Sequence, residues 1–173
     1  LNSPCWSAGN SEADGRSRLD VAMRSELPYF TRINGLLRLA SRLAENGEVL
    51  CPLSMAHLAA LQLAAEATGS RRRSAADWAA QFRLWLKEAG WPGERALSSH
   101  EFQARRAFFE SLDSLAALDG VLGPVALQEA WRRLSQLCRQ RVFQPETRGQ
   151  PSIQVLGTLE SAGLSFDALW VAG

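Results

Sequence analysis

The sequence predicts a mainly α-helical protein, a multi-helix bundle followed by a short C-terminal β-strand pair. Apolar residues recur at helical spacing through successive segments, Ser, Gly and Pro stand where those segments begin and end, and the pattern turns strand-like only after Pro145. The 173 residues can bury a core without metal or disulfide staples.

Residues 1–11 are rich in Ser, Gly and Asn without periodicity and read as a loop or extended arm, ahead of a helical domain over 12–143. A weakly amphipathic first helix runs from Ser11 or Asp14 through Leu19, Ala22 and Met23 to the stop at Pro28. The second places Ile33, Leu36, Leu37, Ala40, Leu43 and Ala44 on one face and ends at Asn46 and Gly47. Pro52 and Ser54 open an alanine-rich third helix, expected to be buried, that passes Leu58, Leu61 and Ala65 and stops at Gly69. Ser74 caps a fourth, with Asp77 placed to reach back, and Trp78, Phe82, Trp85, Leu86 and Ala89 form its apolar face. Ser98 and Glu101 make a capping box for a fifth, with Phe102, Phe109, Leu112 and Ala116 facing inward. The sixth has Pro124 near its first turn and Leu127, Ala130, Trp131, Leu134, Leu137 and Cys138 on one face. Beyond it, Ile153 to Leu156 and Ala168 to Ala172 are strand candidates, so residues 150–173 resemble the edge of an α/β domain.

Composition narrows the function. Lys and Arg total 19 against 18 acids, a net charge of +1, which excludes a charged disordered tail and gives no global signature for nucleic acid. Lys87 is the only lysine, an arginine bias that fits a GC-rich genome. Cys5, Cys51 and Cys138 are far apart, and His57 and His100 lack companion ligands, so neither a metal site nor a disulfide framework is expected. No apolar run approaches the roughly 20 residues that cross a bilayer, and the N-terminus lacks signal-peptide character, so a cytoplasmic location of bacterial type is the expectation. The start without Met and the apolar run ending at Gly173 suggest a piece of a longer chain.

Phosphate-binding, dinucleotide and nucleophile-elbow motifs are absent from the sequence, which gives catalysis no visible home and implies no cofactor. Glu101 and Glu129 read as a helix cap and a solvated helix face, His57 as a packing residue, and Trp78, Trp85 and Trp131 as core. Trp91, in the turn Trp91-Pro92-Gly93, is the better candidate for an exposed aromatic. Candidate phosphate contacts are Arg71, Arg72 and Arg73, the pair Arg105 and Arg106, and the group Arg132, Arg133, Arg139 and Arg141, provided the fold gathers them on one surface.

The stretch IQVLGTLESAGLSFDALWVAG, from Ile153 to Gly173, resembles a motif of the second RecA-like motor domain of superfamily 1 helicases of the UvrD, RecB and AddA types. There a strand leads into T-x-H-x-x-K-G-L-E-F and D-x-V-[FW]-[LV]-x-G, and Gly163, Leu164, Phe166, Asp167, Trp170 and Gly173 match that framework. The upstream segments WPGERALSSHEFQ, VLGPVALQEAWRRL and VFQPET look like the RecB- or AddB-like family of probable DNA repair proteins, over about residues 74–173. Gly157, Leu159, Ala162 and Ser165 stand where active helicases place Thr, His, Lys and Glu. The resemblance therefore implies a retained fold without motor chemistry, a helical insert over roughly 12–143, and a parent chain carrying a PD-(D/E)XK exonuclease domain. DNA and a helicase or nuclease partner subunit are the implied partners, with no membrane. A self-contained helical adaptor for a protein partner is the competing expectation.

Overall fold

Helical periodicity, caps and stops resolve into six α-helices among the described residues of a computed structural model, which describes residues 3, 5–48, 51–144 and 153–171. They are α1 (Ala13–Glu26), α2 (Ile33–Glu45), α3 (Pro52–Thr68), α4 (Ala75–Glu88), α5 (Ser99–Ala117) and α6 (Leu127–Gln140), with a 3-10 turn at Leu118–Gly120. The chain divides into two units, Leu1–Phe143 and Gln144–Gly173.

The local chemistry explains the boundaries. Leu27 is extended, the conformation a residue before proline prefers, and so α1 ends ahead of Pro28. The Ser74 hydroxyl accepts the Asp77 N–H at the start of α4, while Ser98 and Glu101 satisfy each other's backbone N–H groups at the start of α5. Gly90 ends α4 at a φ of 70°, and a Cβ there would lie 2.2 Å from the Ser7 Cβ. Only glycine serves both the left-handed turn and the close approach.

Two apolar clusters form within the first unit. Leu19, Leu36, Leu39, Ala40, Leu43, Cys51 and Leu58 join α1, α2 and the start of α3. Trp78, Ala79, Phe82, Leu112, Leu115, Val125, Ala130 and Leu134 join α4, α5 and α6. Helix α3 packs on both α2 and α4, linking the two clusters.

Several expectations need correction. Helix α3 is not buried: Ser54, Leu58 and Thr68 are its buried residues, and Leu53 and Leu63 face outward, because alanine content raises helix propensity without requiring burial. Phe102 and Trp131 lie on the exposed sides of α5 and α6, with Ser111 and Leu115 taking inward positions on α5. Trp91 is half-buried against Phe108 and Phe109, at 6.0 and 5.9 Å between ring centroids.

The second unit corrects the strand expectation. Residues 153–171 form bends and turns with no strand, and Val155 and Trp170 are more than nine-tenths exposed. Alternation alone does not make a strand, since its N–H and C=O groups need a paired neighbour, and a lone hairpin is marginal in water. Residues 157–164 form compact turns: Glu160 accepts the Gly157 N–H at 2.8 Å, the Ser161 N–H reaches the Gly157 carbonyl, and the Leu164 N–H reaches the Ser161 carbonyl.

Candidate nucleic-acid interface

The basic run between α3 and α4 is divided by its local structure. The Arg73 backbone pairs with Val125 in an isolated antiparallel bridge, N–H to O at 3.0 and 2.8 Å. Its guanidinium donates to the Thr68 carbonyl at 3.0 Å and lies 5.8 Å from the Trp78 ring centroid. Arg72 donates through Nε to the Pro124 carbonyl at 2.8 Å. Two members of the run are thus spent on holding the approach to α4 against the approach to α6. Arg71 is exposed and makes no side-chain hydrogen bond or ion pair among the described residues, so its charge is available to a phosphate.

On α5, the Arg105 guanidinium stands 5.3 Å from the Phe109 ring centroid, and Arg83 of α4 approaches the same ring at 5.7 Å. Arg106 pairs with Glu110 at 3.0 Å, and Arg141 reaches the same carboxylate from beyond the end of α6. On α6, Arg132 forks onto both oxygens of Glu129 at 2.7 and 2.8 Å, while Arg133 adds a third bond at 2.7 Å. Hydrogen bonds from Arg132 and then Arg133 hold the Glu129 carboxyl well below the usual carboxylate range, at about 2. The pair of arginines with one carboxylate retains a single net positive charge.

The structure therefore joins Arg106 to Arg141 and Arg132 to Arg133, each through a shared carboxylate. No ion pair among the described residues connects these groups to one another or to Arg71. Arg139 is exposed beside Trp131 on the outer face of α6, among Gln128, Ser135 and Gln136.

Of the residues that match the helicase framework, Gly163 adopts a φ of 83°, the left-handed value that its place in a tight turn requires. Leu164, Phe166, Asp167 and Trp170 follow it as exposed positions, and Gly173 lies outside the described residues. The chain matches no family model, curated protein or solved structure. Among the described residues no group of three His, Cys, Asp or Glu side chains converges as a metal site, and no helix is long and apolar enough to cross a membrane.

His57 donates through Nδ1 to the Glu88 carbonyl at 2.8 Å, tying α3 to the end of α4, which suits its reading as a packing residue. Sequence reasoning missed Glu12. Its carboxylate is buried and accepts the Leu53 and Ser54 N–H groups at 2.7 and 2.8 Å, capping α3 from about forty residues away. The N-cap Cys51 supplies no such bond, and burial followed by the nearby Glu12 charge pushes its thiol up from the ordinary range. Arg16, also buried, donates to the Ser3 carbonyl at 3.0 Å and the Ser7 carbonyl at 3.4 Å. Glu94 accepts the Asn10 and Ser11 N–H groups and the Ser11 hydroxyl, and these bonds from Ser11 lower its carboxyl. Among the described residues of this segment, Ser3, Ser7, Asn10 and Ser11 are each held by Arg16 or Glu94, so the loop is fastened at several points. A cap supplied from another element leaves no signal in the residues next to the helix start.

Proposed function

We propose that the chain is a non-catalytic, helicase-like part of a DNA repair or recombination protein of RecB/AddB type, acting as scaffold and DNA-tracking surface. In this reading residues 12–143 are the helical insert of a motor-like domain, and residues 150–173 are its RecA-like re-entry, within a cytoplasmic parent carrying a PD-(D/E)XK nuclease. The observation that carries it is the run from Gly163 to Gly173, which keeps the glycine and apolar framework of the helicase motif. The positions that couple nucleotide to DNA are occupied by Gly157, Leu159, Ala162 and Ser165, which supply no basic or acidic group to a phosphate or a base. Arg71, and the surplus charge of the Arg132 and Arg133 pair, supply the phosphate contacts.

The test is a titration with DNA at two salt concentrations, together with an ATPase assay. Weak binding that falls with salt and no ATP hydrolysis support the proposal; ATP turnover, or tight binding indifferent to salt, opposes it. A second reading, a helical adaptor for a protein partner, is favoured by Trp131, which is 60% exposed on the outer face of α6. A Trp131→Ala variant that loses a partner protein while DNA binding is absent from the wild type supports the adaptor instead.

A further inference from the structure

The connection between α1 and α2 presents an aromatic pair to solvent. Tyr29 is 94% and Phe30 89% exposed, and their ring centroids lie 4.9 Å apart at an interplanar angle of 89°. Both rings are outside the two apolar clusters, so they contribute nothing to the buried core. Their loop is nonetheless shaped. Pro28 fixes its entry, and the Thr31 hydroxyl folds over the first turn of α2, where a Cβ on Gly35 would lie 2.6 Å from it.

The surroundings are predominantly basic, with Glu26 at their edge. From Leu27 to Ala44 the sequence holds Arg32, Arg38 and Arg42 and no acidic residue. Arg42 is paired with Glu26 across the α1–α2 junction. Arg32, at the N-cap of α2, and Arg38, six residues further on, are exposed and make no ion pair or side-chain hydrogen bond among the described residues. Arg38 also lines a cleft of about 270 Å³ with Glu26, Leu27, Gly35, Leu39 and Arg42. Two solvent-facing rings, followed along the chain by the uncommitted guanidinium groups of Arg32 and Arg38, match a polyanion that carries free aromatic faces.

We propose that Tyr29 and Phe30 form a stacking platform for the bases of single-stranded nucleic acid, with Arg32 and Arg38 holding the backbone phosphates. Duplex bases are stacked on one another and offer no free face, so the platform selects single strands. An anionic membrane shares the phosphate chemistry, but the loop adds only Leu27 and Pro28 to the two rings and is flanked by Glu26 and Thr31, too little apolar length for insertion. This inference rests on the DNA-binding reading above and deepens it by naming the form of the substrate.

Tyr29 is the only tyrosine, so 3-fluorotyrosine labelling of the 173-residue chain gives one fluorine resonance that reports on this loop alone. The resonance is expected to shift during titration with a thymidine oligonucleotide and to stay in place with a duplex of equal length or with phosphatidylserine vesicles. Tyr29→Ala/Phe30→Ala, which removes only exposed rings, is expected to weaken oligonucleotide binding by about tenfold or more and to leave duplex binding unchanged. Arg32→Gln/Arg38→Gln is expected to flatten the dependence of log affinity on log salt by about 1.4 for a single strand. An unmoved resonance with full single-strand affinity in the aromatic variant overturns the platform alone. A shift with vesicles and none with oligonucleotide replaces it with a lipid surface. Failure of the wild-type chain to bind either form of DNA overturns both this inference and the reading beneath it.

Discussion

The Trp78 indole donates its N–H to the Val125 carbonyl at 2.9 Å, on the same oxygen that accepts the Arg73 backbone N–H at 3.0 Å. One carbonyl thereby fastens the start of α4 to the segment leading into α6. Trp78 is fully buried in the second apolar cluster, so Trp78→Ala removes both the bond and a large apolar volume. A loss of about 3–5 kcal/mol is expected in urea unfolding, and Trp78→Phe, which keeps most of the ring, costs about 1–3 kcal/mol.

The same arrangement separates the arginines of the basic run. Arg73→Ala removes the bond to the Thr68 carbonyl and the guanidinium beside Trp78, and is expected to destabilise the chain by about 1–3 kcal/mol. Arg71→Ala is expected to leave the urea midpoint in place and to reduce DNA affinity. A triple substitution of Arg71, Arg72 and Arg73 mixes the two effects, so single variants measured by both unfolding and binding are the informative ones.

Glu12 caps α3 across the fold, and its removal has a local signature. Glu12→Ala leaves the Leu53 and Ser54 N–H groups without their acceptor and is expected to cost about 1–2 kcal/mol. Hydrogen exchange of those two amides is expected to accelerate, whereas the Glu101 amide, held by Ser98, keeps its protection. Equal acceleration at both sites contradicts a cap specific to α3.

Acid titration reports on two carboxylates. Glu101, bonded first by Arg95 and then by Ser98, and Glu129, bonded by Arg132 and Arg133, both fall from 4.5 to about 2. A carboxyl lowered in the folded chain binds its proton less readily there than in the unfolded chain. Its contribution is complete above pH 4.5 and disappears as pH falls toward 2. Glu101→Gln/Glu129→Gln is expected to flatten the loss of stability across that window while changing little above it, as followed by thermal unfolding at stepped pH.

The sequence made the helices legible because their signals are local. Ser74, Ser98, Pro28 and Gly90 act within a turn of themselves, and the faces built on Leu36 and on Trp78 repeat at the helical period. What escaped was non-local. Trp131 and Phe102 have core-like spacing, yet the helices that pack beside them leave those flanks uncovered. The strand candidates, one alternating at Ile153 to Leu156 and one an apolar run from Ala168, have no neighbour with which to pair among the described residues. At the candidate interface, arginine clustering was visible in the sequence, but its partition was not: Glu110 and Glu129 take up Arg106, Arg141, Arg132 and Arg133, and Arg72 and Arg73 serve backbone carbonyls.

The most direct measurement is the affinity of the wild-type chain and of Arg71→Ala for DNA at low and moderate salt. The expected result is weak wild-type binding whose logarithm falls linearly with log salt, and a shallower slope, by about 0.7 to 0.9, for the variant. Identical slopes for the two proteins, or no wild-type binding at low salt, would contradict a DNA-tracking surface that includes Arg71.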